Sequence, residues 1–253
     1  MIRTFDRPPL ALEGLLDSKG AHRISVCIPA RDEGATVGAI VGRILDALAA
    51  LVDEVLVVDD HSTDGTAVAA ERAGARVVRS DGHGKGAALW KATASATGDV
   101  LVFCDADLRD FDPRFIVGLL GPLLAHDDIA LVKAFYERTL DGQPRGGGRV
   151  TELVARPALA LLFPELSPIL QPLAGEYASR RDVLEQVPFA EGYGVDIGLL
   201  IDVARRFGAG SVAQVDLGVR VHRNRPLSQL AAQAEAVIAL ALDRAGQPTG
   251  QRR

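Results

Sequence analysis

Four short apolar runs, ISVCIPA, EVLVVDD, ARVVRS and DVLVFCDAD, recur through the first 107 residues with helix-length stretches between them. The intervening EGATVGAIVGRILDALAAL, TDGTAVAAERAG and KGAALWKATASATG carry Val, Ile, Leu and Ala at helical spacing, and the last two run into glycine, a common helix stop. The pattern predicts β-α-β-α-β-α-β. Strands that are hydrophobic almost throughout, each followed by a helix, belong in a mostly parallel sheet covered on both faces and joined by right-handed crossovers.

The second half is less regular. IALVKAFYER reads as a further strand, and TLDGQPRGGGRVTE as a loop leading to a helix near VTELVARPALALLF. VDIGLLIDVARRFG is expected as an amphipathic helix, SVAQVDLGVRVHR as a strand, LSQLAAQAEAVIALALDRAG as a closing helix and QPTGQRR as a frayed tail. At 253 residues one large α/β domain is expected.

Charge and cysteine content narrow the function. Lys and Arg total 28 against 33 Asp and Glu, a net charge of −5, so no polyanion is expected to wrap the surface and any phosphate site is local. Cys27 and Cys104 lie inside apolar runs, where cysteine behaves as a small hydrophobe, and a reducing cytoplasm is expected. Neither a signal sequence nor an apolar window of membrane-spanning length is visible, so no membrane contact is expected.

Asp105-Ala106-Asp107 follows the fourth apolar run. Ligands of open parallel sheets bind beyond the carboxyl ends of the strands, and if the strand continues this far, residues two apart point to one side. Two carboxylates sharing a space repel unless a cation lies between them, and hard oxygen ligands suit Mg²⁺ or Mn²⁺. A lone D-x-D serves equally as a pair of solvated or helix-capping aspartates, so the other strand ends matter. CIPARDEG closes the first run with Arg31, Asp32 and Glu33, and VVDDHSTDGT closes the second with Asp59 and Asp60 ahead of Ser62 or Thr63 as a helix cap. No G-x-G-x-x-G follows the first strand and no Walker motif is present, against a nicotinamide, flavin or P-loop site.

In order, VCIPARDEG, VVDDHSTDGT, GHGKGAALWKA and VLVFCDADL resemble the nucleotide-sugar half of a GT-A-fold glycosyltransferase, a Rossmann-like α/β fold whose metal and diphosphate signature is the D-x-D. GGGRVTELVARPAL, LQPLAGEYASRRDVL, PFAEGYGVDIGLLID and QVDLGVRVHRNRPL look like the matching blocks of actinobacterial glucosyl-3-phosphoglycerate synthases. The likeness runs from about Ile24 to Ala245. It implies a retaining transferase that moves glucose from UDP-glucose to D-3-phosphoglycerate with Mg²⁺ or Mn²⁺, in a homodimer that binds no nucleic acid. It also implies an N-terminal arm over 1–23, a nucleotide-sugar half over 24–132, an acceptor half of the same domain over 133–245 and a flexible tail over 246–253.

The resemblance assigns roles residue by residue. The uridine goes to Pro29, Ala30, Glu33 and Asp60 with Lys85 nearby, and Asp60 stands where the family often has serine. Asp105, Ala106 and Asp107 take the ribose and diphosphate, with Asp107 and His222 as metal ligands. Gly148, Arg149 and Thr151 take the phosphoglycerate, assisted by Asn224; freed N–H groups and a guanidinium make an anion cradle. Tyr193 and Asp196 take the glucose, and Asp196 is one methylene shorter than the family's usual glutamate. Asp107, Asp196 and Arg149 are expected to act on the reacting groups. A transferase of the same fold with another nucleotide sugar or a polyprenyl phosphate acceptor, and a nucleotide-sugar-binding protein without turnover, are the alternatives.

Overall fold

The computed structural model describes residues 1–6, 12–109, 111–139, 148–221 and 227–246. In chain order the elements are β1 (Arg3–Phe5), α1 (Glu13–Lys19), β2 (Ile24–Ala30), α2 (Val37–Leu48), β3 (Glu54–Asp59), α3 (Thr66–Arg72), β4 (Arg76–Arg79), α4 (Lys85–Ser95) and β5 (Val100–Phe103). They continue with α5 (Arg114–Ala125), β6 (Leu131–Thr139), α6 (Arg156–Leu162), β7 (Tyr177–Arg180), α7 (Arg181–Leu184), α8 (Val195–Phe207), β8 (Val212–Val221) and α9 (Leu227–Gly246). A π-helical turn, Thr151–Ala155, leads into α6, and a 3-10 turn, Gly192–Gly194, leads into α8.

The strands form one eight-stranded sheet in the order β1-β8-β6-β7-β5-β2-β3-β4. Every pairing is parallel except the two made by β7, which runs antiparallel between β5 and β6. The mostly parallel α/β sheet expected from the alternating runs is therefore present, with β7 inserted from the second half. Successive strand residues face opposite sides, which splits the core into two layers. Val26, Ile28, Val57 and Val102 pack with α2 and α5, while Cys27, Leu56, Leu101 and Phe103 pack with α4, α8 and α9. Each fully buried Ile, Leu or Phe contributes roughly 1.5–3 kcal/mol. Both cysteines are buried, and neither is in a disulfide.

Two local expectations are corrected. Neither Ser62 nor Thr63 caps α3, which begins at Thr66 after Gly65. Their side chains instead brace the neighbouring loop: Ser62 Oγ accepts the N–H of Asp32 at 3.0 Å, and Thr63 donates its hydroxyl to Asp32 Oδ1 at 3.1 Å. The capping bond comes from Asp64, whose Oδ1 accepts the Thr66 N–H at 2.8 Å. In addition, β5 stops at Phe103, so the pleat does not extend to Asp105 and Asp107, and a turn presents them.

The segment expected as an arm carries β1, which pairs with β8, and α1, which packs on α5. Residues 247–253 of the expected tail lie outside the described residues. Among the described residues no helix is long and apolar enough to cross a membrane.

Candidate active site

The parallel strands deliver their acidic ends to one edge. Pro29 and Ala30 end β2, and the Ala30 carbonyl accepts the N–H of Asp60, just past β3, at 2.8 Å. Asp60 is buried; its Oδ2 accepts the Gly84 N–H at 2.9 Å, with Arg31 Nη1 at 3.8 Å. Glu33 donates its N–H to Thr66 Oγ1 at 2.8 Å, and its Oε2 lies 3.3 Å from the Thr36 hydroxyl. That hydroxyl donates to the Ala106 carbonyl at 2.7 Å, so the start of α2 holds the middle residue of the D-x-D.

Lys85, the first residue of α4, gathers groups from both halves of the chain. Its Nζ lies 2.9 Å from Asp196 Oδ2 and 3.3 Å from Asp105 Oδ1. Burial alone would lower the pKa of this ammonium, but Asp105 and Asp196, with Glu176 behind them, outweigh burial and raise it above the ordinary value. It is a fixed positive charge. Asp196, in the first turn of α8, is buried, and its second oxygen, Oδ1, has no hydrogen-bond partner among the described residues. A buried acceptor without a partner suits a ligand hydroxyl. Tyr193, three residues earlier, is exposed.

Two glycines allow this convergence. A Cβ on Gly175 would sit 2.3 Å from Asp105 Oδ1, so only glycine leaves room for that carboxylate. A Cβ on Gly86 would sit 1.9 Å from the Ala190 carbonyl, so α4 and the segment before Tyr193 touch backbone to backbone.

Beneath the carboxylates lies a group that motif reading did not single out. Lys133 of β6 is buried; its Nζ donates to the Ala174 carbonyl at 2.6 Å and lies 5.2 Å from the Tyr177 ring centroid. Burial, aided by the charge of Lys85, lowers its pKa to about 8, against the pull of Asp196, Glu176 and Asp105. The Tyr177 ring stacks on Phe103 at 4.6 Å, its buried hydroxyl has no hydrogen-bond partner among the described residues, and burial pushes its pKa up. A lysine inside the apolar IALVKAFYER was the available signal. Gly175 carried none, because the carboxylate it accommodates is distant in sequence.

Of the residues expected to take the phosphoglycerate, Gly148 is half-buried, Arg149 exposed and Thr151 buried at the entry to the π-helical turn. The Gly148 carbonyl accepts the Glu152 N–H at 2.9 Å. The turn widens where Pro157, second in α6, has no N–H to give, and the Arg156 N–H reaches back five residues to the Thr151 carbonyl. This turn and Gly192–Gly194 both pack on α9, which thereby links the Arg149 region to Tyr193. His222 and Asn224 lie outside the described residues.

The donor set fits the cation expected there. Asp105 and Asp107 present hard oxygen ligands on a turn at the carboxyl edge, with the Lys85 charge beside Asp105. The sheet edge thus combines fixed positive charge, paired carboxylates and a buried acceptor, a set suited to binding a diphosphate together with a polyhydroxylated group.

Comparison with known proteins agrees with this chemistry. Residues 25–187 match the family described as glycosyl transferase family 2. Glucosyl-3-phosphoglycerate synthase of Mycolicibacterium smegmatis is 49% identical over 255 residues, covering 96% of this chain and 84% of that protein. A crystal structure of glucosyl-3-phosphoglycerate synthase from Mycobacterium tuberculosis, in complex with Mn²⁺, UDP-glucose and phosphoglyceric acid, superposes with a TM-score of 0.90 at 48% identity, covering 98% of this chain and 89% of that one. Another from that organism, with Mg²⁺ and UDP, gives a TM-score of 0.90 at 47% identity over 98% and 88% of the two chains.

Proposed function

The chain belongs to glycosyl transferase family 2, and from that membership and its site we infer that it transfers glucose from UDP-glucose to 3-phosphoglycerate, giving glucosyl-3-phosphoglycerate. The observation that carries this reading is the likeness, at 48% identity over 98% of the chain, to a structure that holds both substrates and the metal. The reaction is metal-dependent and uses Mg²⁺ or Mn²⁺. When bound, the cation supplies positive charge against the departing diphosphate.

In this reading Asp107 holds the cation, with His222 as its second protein ligand. Pro29, Ala30, Glu33 and Asp60 receive the uridine, while Asp105 and Ala106 line the ribose and diphosphate. Lys85 keeps a permanent positive charge beside Asp105, which supports a place near the diphosphate. The open Oδ1 of Asp196 supports acceptance of a hydrogen bond from a glucose hydroxyl, and exposed Tyr193 flanks the sugar. Gly148, Arg149 and Thr151, with Asn224, hold the phosphate and carboxylate of the acceptor so that its hydroxyl faces the anomeric carbon. Transfer with retention, a donor half over 24–132 and an acceptor half over 133–245 belong to the same reading.

So does a homodimer, supported by exposed Leu153, Leu161, Ile238 and Leu242 on the mutually packed π-helical turn, α6 and α9; light scattering measures it directly. Residence in the cytoplasm is supported by the buried thiols of Cys27 and Cys104, neither of them in a disulfide. Neither nucleic acid nor membrane has a role in the reading.

The test is to supply UDP-glucose, 3-phosphoglycerate and Mn²⁺ and follow free UDP and the product by mass spectrometry. UDP and glucosyl-3-phosphoglycerate should appear together, and only with the acceptor present. Turnover with a polyprenyl phosphate but not with 3-phosphoglycerate, or donor binding with no turnover, would overturn the reading.

A further inference from the structure

His61 and His83 have no part in the reaction drawn above, yet they are held together with unusual care. His61 adopts a φ of 59°, in the left-handed region that a non-glycine residue seldom enters. Its imidazole lies nearly flat on that of His83, with ring centroids 4.0 Å apart and an interplanar angle of 30°. Asp60 stands beside them, buried. Its Oδ2 is engaged by the Gly84 N–H at 2.9 Å and faced by Arg31 at 3.8 Å, whereas Oδ1 turns to His61 Nδ1 at 3.3 Å. One ligand atom from each of the three residues lies within 4.8 Å of the other two.

These distances suit a metal. Two ligand atoms of one tetrahedral zinc ion, at bonds of roughly 2.0–2.2 Å, sit about 3.4 Å apart. The Asp60 to His61 separation of 3.3 Å already has that value, and the His83 ligand atom lies within 4.8 Å of both, so the exposed His83 ring turns out of its stack on His61 to reach the ion. The ligand types select the ion: two neutral imidazoles and one carboxylate favour Zn²⁺, Co²⁺ or Ni²⁺ over Mg²⁺, which prefers oxygen ligands and retained water. We propose that Asp60, His61 and His83 form a second divalent-cation site, for a borderline transition ion such as Zn²⁺, separate from the cation site assigned to Asp107. An ion held there ties the end of β3 to the turn that begins α4, and so braces the helix from which Lys85 projects. Asp60 is shared with the uridine pocket of the proposed function, while His61 and His83 are not, and the proposal does not depend on which sugar and acceptor the protein uses.

The experiment compares the metal-stripped full-length chain with His83→Ala and His61→Gly. His83 is exposed and glycine suits the backbone at position 61, so both variants fold. Zn²⁺ is titrated calorimetrically, and Co²⁺ is followed by its visible absorption as a probe of ligand geometry. The unaltered chain should bind one tight Zn²⁺ more than either variant. Outer-shell changes alone weaken metal sites 10–100-fold, so loss of a direct ligand should weaken this one by at least about tenfold. The same zinc number and affinity in all three proteins would place the ion elsewhere and overturn the proposal, as would the absence of tight zinc binding by the unaltered chain.

Discussion

Lys85 Nζ lies 2.9 Å from Asp196 Oδ2, an ion pair between residues 111 apart in sequence that joins the first residue of α4 to the first turn of α8. Asp105 shares the same ammonium at 3.3 Å. Lys85→Met removes the ammonium beside the buried Asp196 and the partly exposed Asp105, and removing one partner of a buried pair costs about 3–5 kcal/mol. Urea denaturation should show a loss of that order together with a collapse of transfer activity. An unchanged midpoint would mean that the carboxylates are already neutralised by other groups.

Gly175→Ala tests the seat of Asp105. The new methyl carbon would fall 2.3 Å from the carboxylate, which must swing away from Lys85. Misplacing a reacting group by about 1 Å costs on the order of 100-fold in rate. Turnover number should fall by about that factor while circular dichroism remains native, and an active Gly175→Ala protein would show that Asp105 can move freely.

Asp196→Glu supplies the longer reach that the family resemblance implies at this position. One oxygen of Asp196 is committed to Lys85 and the other is open, so the longer side chain brings the open acceptor closer to a sugar hydroxyl. Catalytic efficiency for UDP-glucose relative to other nucleotide-linked hexoses should sharpen by about 1–3 kcal/mol, an effect read by assaying several donors with both proteins. If the natural protein already accepts UDP-glucose alone and the substitution merely inactivates it, Asp196 does not limit donor choice.

Arg149→Ala separates the two substrates. A charge-assisted hydrogen bond is worth about 1.5–3 kcal/mol, so the Michaelis constant for 3-phosphoglycerate should rise by roughly 10–150-fold while that for UDP-glucose changes little. Equal effects on both constants would remove Arg149 from the acceptor pocket.

Lys133 makes stability depend on pH. Its folded pKa of about 8 lies below its ordinary value of 10.5, so between these values the unfolded chain binds the extra proton. The folded state therefore gains relative stability as pH rises through that window. Measured against Lys133→Met, the unfolding free energy of the unaltered chain should increase by on the order of 2–3 kcal/mol between about pH 7 and pH 10. A flat difference would indicate that Lys133 stays charged.

The parallel framework was legible because β2 to β5 and the helices between them each carry their own periodicity. ISVCIPA matches Ile24–Ala30 and the closing helix matches Leu227–Gly246 to the residue. Helix α5 did not announce itself: it is apolar on nearly every face, holds Gly118, Gly121 and Pro122, and packs on both the sheet and α1. Strand β7 has only four residues, and its partners are tertiary facts. In the site, the acidic strand ends were visible as residues. Their pairing with Lys85, the glycine under Asp105 and the buried Lys133 depend on contacts across the two halves, which no local pattern encodes.

The antiparallel insertion of β7 has a consequence for synthesis of the protein. When the ribosome has released β5, one edge of Val100–Phe103 is covered by β2, but the other must wait for Tyr177–Arg180. During that interval the growing chain presents a short, wholly apolar strand edge, the kind of surface that recruits foreign strands. Holding factors acting on the nascent chain, and a pace of translation that brings residue 180 out promptly, would protect yield at this stage more than any change to the finished structure.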